Sequence, residues 1–168
     1  MLLEDQPAKI SPEDFATLCG EHLDPALAAA AREMLGVAGN GGATAAAHPF
    51  VRAWRDGETQ LRNAIAEERA RRRKAASRPA PRETRGCDPS LPQRVSAAFA
   101  AQDPLSRERA IDHIRWIALD EMQGVSPFSE AAVLAYAGKL ALNARRFAVS
   151  EEKGMERFRE RCQMENGK

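Results

Sequence analysis

Cys19 and His22 stand three residues apart, the separation at which two metal ligands share one helical turn. A structural zinc normally takes four ligands, usually as two close pairs, and the other candidates, Cys87, His113 and Cys162, are isolated. Cys19 also falls on an apolar stripe with Phe15, Leu18 and Leu23, where a free thiol behaves as a small hydrophobe. The glycine-rich run 36–42 raises a phosphate loop, but such a loop follows a strand and ends in Lys-Ser or Lys-Thr, and neither is present. The carboxylate pairs Asp120-Glu121 and Glu151-Glu152 suit helix caps and wet surfaces as well as they suit acid–base chemistry. No nucleophile–base pair is indicated, so the chain is read as a non-enzyme with no metal and no cofactor. The strongest charged feature runs from Arg69 to Arg85, with eight bases against one acid. Phosphate binding needs such a cluster, yet no aromatic is interleaved for base stacking.

The elements that carry these residues read as helices. Ser11-Pro12-Glu13-Asp14 combines an N-cap, a proline at the first helical position and two acids at the positive helix end. Asp24-Pro25 repeats the signal for a helix over about 25–35, stopped by Gly36. His48-Pro49 starts a long helix to about residue 76, with Phe50, Trp54, Leu61 and Ile65 on one face. Residues 77–92 hold four prolines and no periodicity, which marks an exposed linker. A short helix over 92–101 buries Val95 and Phe99. Asp103-Pro104 opens a helix over 104–123, apolar nearly all round at its centre. Ser126-Pro127 opens a helix over 127–149 with Val133, Ala137, Leu140, Ala144 and Phe147 on its stripe. Ser150 caps a final helix carrying Met155, Phe158 and Cys162.

Composition agrees. About a fifth of the 168 residues are alanine, the best helix former, and 5% are aromatic, which excludes an all-β fold. A net charge of +1 gives no global attraction to nucleic acid or anionic membrane. No apolar run approaches the roughly 20 residues that span a bilayer, and the N-terminus is too acidic for a signal peptide. The expected location is cytoplasmic, peripheral to a membrane complex at most.

Several segments resemble an uncharacterised family of small bacterial proteins encoded with V/A-type ATP synthases. They are ISPEDFATLCGEHL; the segment after His48 with Trp54, Glu58, Leu61, Arg62 and Asn63; ERAIDHIRWIALDEM, centred on Arg115-Trp116; and the segment with Val133 to Tyr136, Lys139 and Leu140. The family is similar to the central-stalk C/d component of these rotary ATPases, a helical funnel that joins the rotor axle to the membrane ring. The resemblance implies an all-α fold of six or seven helices and a non-catalytic accessory role, with other ATP synthase proteins as partners. Two echoing segments, Leu61-Arg62-Asn63-Ala64 and Leu142-Asn143-Ala144-Arg145, match a leucine-asparagine-arginine cluster of that fold.

The expectations are therefore an N-terminal helical lobe (1–76), a proline-rich linker (77–92) and a C-terminal helical lobe (93–168). The partner interface is assigned to Arg62, Asn63, Asn143, Arg145 and Arg146, exposed polar residues on strong helices. Arg145 is placed on a wet face, where substitutions cost under about 0.5 kcal/mol. The competing reading is a nucleic-acid-binding accessory protein using the Arg69 to Arg85 segment.

Overall fold

The computed structural model describes residues 2–37 and 48–148. Those residues form six α-helices and no strand: α1 (Pro12–His22), α2 (Pro25–Leu35), α3 (Pro49–Arg72), α4 (Leu91–Ala98), α5 (Pro104–Gln123) and α6 (Glu130–Ala148). The glycine-rich residues 38–47 and the expected helix from residue 150, with Met155, Phe158 and Cys162, lie outside the described residues.

Cap chemistry starts the helices where the sequence places it. Ser11 Oγ accepts from the Asp14 amide, Asp24 Oδ1 from those of Ala26 and Leu27, and Asp103 from that of Ser106, each ahead of a proline in the first turn. His48 Nδ1 accepts from the Phe50 amide at 3.2 Å and caps α3 in the same way. Gly36 closes α2 in the left-handed conformation, φ 70°, which frees the Val37 amide to bond the Arg32 carbonyl. The last helix departs from expectation. Residues 126–129 form a turn, and Ser129 rather than Ser126 caps α6 by accepting from the Ala132 amide.

Packing does not follow the expected two lobes. One core joins α1, α2, the start of α3, the end of α5 and the centre of α6, through Leu27, Val51, Leu119, Leu134 and Leu140 among others. A second joins Leu61 of α3, Leu91, Val95 and Phe99 around α4, and Ile111 and Ile114 of α5. Both cores draw on both sides of residues 77–92. The physical reason is helix length: α3 and α5 are long enough to serve one core at one end and the other further along. Prolines break a helix, but they do not choose what it packs against.

Helix α6 makes its most extensive pairings with α2 and α5. Being covered on two sides, it buries Leu134, Ala135, Ala137 and Leu140 completely. Burying each leucine contributes roughly 1.5–3 kcal/mol. The expected stripe is only partly right: Ala137 and Leu140 are central, Val133 is half-buried and Phe147 is 42% exposed. Gly138 lets the helices approach closely, since a Cβ there would lie 3.0 Å from both Leu119 methyls and from Met34 Cε.

Candidate interaction cleft

A cleft of about 730 Å³ opens between α2, α3, α5 and α6, with Trp54, Glu58, Arg62, Arg115 and Arg145 among its lining residues. Helical spacing explains why these side chains meet. Glu58 and Arg62 are one turn apart on α3, and Asp112 and Arg115 one turn apart on α5. At the base, the Arg115 guanidinium, 12% exposed, donates from Nε to Glu58 at 2.8 Å and from Nη1 to Asp112 at 2.9 Å. Burial pulls the Arg115 pKa down, but the bonds and charges of Glu58 and Asp112 outweigh it and hold the guanidinium above its ordinary value. Arg145 of α6 donates to the same Asp112, and Arg55 pairs with Glu33 across the mouth.

The five residues assigned to an interface have different fates. Arg62 stands on the cleft wall, 63% exposed, with a loose 3.9 Å approach to Glu58. Arg145 is half-exposed, so its outer surface faces solvent while Nη2 is held by Asp112. The other three are spent within the chain. Asn143 is 2% exposed; its Oδ1 accepts from the Ala8 amide, and its Nδ2 donates to the Leu3 and Gln6 carbonyls. Arg146 pairs with Glu4 and Asp5, so both residues fasten the N-terminal segment to α6. Asn63 exchanges two hydrogen bonds with the main chain of Arg82. A short amide at a polar helix position looks exposed until the segment that covers it is known, and here that segment is distant in sequence.

Sequence reasoning missed Asp112 and Arg115 as site residues. The available signal was a basic residue, Arg115, set among Ile111, Ile114 and Ile117 at the mainly apolar centre of α5. Such a residue has to find a carboxylate.

Elsewhere the chemistry is structural. Cys19 is buried and burial raises its thiol pKa, while the His22 side chain is 73% exposed, so the two do not converge. Among the described residues no group of three His, Cys, Asp or Glu side chains is placed to hold a metal. His113 bonds Glu4 at 2.8 Å. Lys139, 8% exposed, is held by Asp120 and Gln123 over the Trp116 ring. In the basic segment, Arg71 and Arg72 both bond Glu68, which is 7% exposed and lowered to about 2 chiefly by the Arg71 hydrogen bond. Arg72 also lies over the Phe99 ring. No helix among the described residues is long and apolar enough to cross a membrane.

No curated protein and no solved structure matches the chain. Residues 91–167, which include Asp112, Arg115 and Arg145 of the cleft, match the model of a family described as a protein of unknown function (DUF2764).

Proposed function

We propose that this chain is a non-catalytic helical interaction protein that docks a carboxylate-bearing surface of a V/A-type ATP synthase. The observation that carries the reading is the cleft. Arg62 and Arg145 present outward-facing guanidinium surface above a floor of buried ion pairs. Arginine forks onto carboxylates with two parallel bonds and is enriched at the energetic centres of interfaces. Asp112 holds one end of Arg145, so that side chain has less freedom left to lose on docking. The segments that resemble the ATP synthase-linked family supply the partner's identity, and Glu58, Arg62 and Arg115 all come from those segments. The mechanism is mechanical: a rigid helical body that anchors or transmits force between protein surfaces.

The test is capture of the tagged full chain from its native cell, with partners identified by mass spectrometry. The expected result is recovery of V/A-type ATP synthase proteins with the unmodified chain and their loss with Arg62→Glu. Recovery of no such protein, or recovery unaffected by Arg62→Glu, overturns the reading. Nucleic acid captured instead, and released by salt, would favour the Arg69 to Arg85 segment.

A further inference from the structure

Residues 78–88 contain no helix, yet they are not a loose linker. They lie along the outer face of α3, tied to it by a row of side chains at helical spacing, Asp56, Gln60 and Asn63. Asn63 Nδ2 donates to the Arg82 carbonyl at 2.8 Å and Asn63 Oδ1 accepts from the Arg82 amide at 3.0 Å. Gln60 repeats the device, donating to the Arg85 carbonyl at 3.0 Å and accepting from the Asp88 amide at 2.9 Å. Asp56 accepts from the Arg85 amide through its carboxylate and from the Thr84 hydroxyl through its carbonyl. Apart from that hydroxyl, all of these bonds are made to main chain. The strap's basic side chains are therefore left outside, and Arg78, Arg82 and Arg85 are exposed. Arg78 reaches Glu67 at 3.2 Å while remaining 87% exposed. Among the described residues, the Arg82 and Arg85 guanidiniums have no carboxylate partner, and neither do Arg73 and Lys74 just before the strap.

We propose that this strap is a preorganised cationic docking strand for an acidic segment of a protein partner. The inference rests on reading the chain as an interaction protein, but not on the cleft, which involves a different face of α3. Charge selects the class of occupant: residues 73–85 carry five bases and one acid. Shape and chemistry select protein over nucleic acid. Phe99, beside the basic helix end, is 4% exposed and carries the Arg72 and Arg107 guanidiniums over its ring, so among the described residues no ring there is available for base stacking. The α3 row pre-orders the strap, so a partner meets a cationic strand whose backbone entropy is already lost.

The test uses the full chain and a fluorescein-labelled polyglutamate peptide, with an oligothymidine of equal charge as the alternative probe. At low salt the peptide should bind, weakened at least about tenfold by Arg82→Glu with Arg85→Glu. The decisive variant changes no charge. Gln60→Ala with Asn63→Ala should speed hydrogen exchange at the Arg82 and Asp88 amides, keep the melting transition, and weaken peptide binding about fivefold or more. Unchanged binding once the strap is shown to be released overturns the proposal, because charge alone would then suffice. So does tighter binding of oligothymidine, or binding that is lost with Arg62→Glu and kept with the strap reversals. The last outcome would place the peptide in the cleft.

Discussion

Asn143 and Arg145 are two positions apart on one helix and do opposite things. Asn143 is buried under the N-terminal segment, whereas Arg145 spends one end on Asp112 and leaves the other in solvent. Asp112 is 12% exposed and shared with Arg115, so removing one partner leaves a carboxylate with half its neutralisation. The near-neutral cost expected from sequence for Arg145→Glu is therefore revised: the variant places a third acid beside Asp112 and Glu108. It should lose about 1–2 kcal/mol, read by thermal or denaturant unfolding, less than a fully buried broken pair because Arg145 is half-exposed. Glu68 makes a pH prediction. Its pKa is lowered in the fold, from an ordinary 4.5 to about 2, first by the Arg71 bond and then by that of Arg72. A lowered folded pKa means the stabilisation is complete above the unfolded value and is lost as pH falls through the folded one. The stability gap between the wild-type chain and Glu68→Gln should hold at neutral pH and close between pH 4.5 and about 2. A gap independent of pH across that window would show that Glu68 acts by shape rather than by charge.

At the scale of the element, helix starts were legible and helix surroundings were not. Ser11, Asp24, His48 and Asp103 are local signals, because a cap needs only the next three residues. The α6 start was misplaced by three residues because Ser126-Pro127 and Ser129-Glu130 are both acceptable starts locally, and tertiary packing chooses between them. The sequence marks the strap only as an exposed linker, because its order comes from Asp56, Gln60 and Asn63, whose roles depend on a chain reversal that composition does not encode. Two glycines inside helices test the packing. Gly57 of α3 has nothing within 4 Å of a built Cβ, so Gly57→Ala should raise stability by about 0.5–1 kcal/mol through helix propensity alone. Gly138 of α6 faces Leu119 and Met34, and Gly138→Val should cost about 1–3 kcal/mol by overpacking. Equal responses to denaturant at the two sites would mean that α6 is less tightly enclosed than the geometry requires.

For the whole molecule, the all-α class was legible from alanine content, capping signals and 3.6-residue periodicity, which are additive along the chain. The division into cores was not, because it depends on which helices are long enough to reach both. The cleft was half legible. Arg62 and Arg145 were named from sequence, while the Arg115, Glu58 and Asp112 floor that positions them appears only when α3, α5 and α6 are brought together. Docking of this assembled face onto a V/A-type ATP synthase is tested most directly by binding of the purified full chain to the purified complex. Saturable binding is expected, weakened at least about tenfold by Arg62→Glu, a substitution at an exposed side chain that leaves the melting transition in place. Absence of binding by the wild-type chain, or equal affinity for wild type and Arg62→Glu, would contradict it.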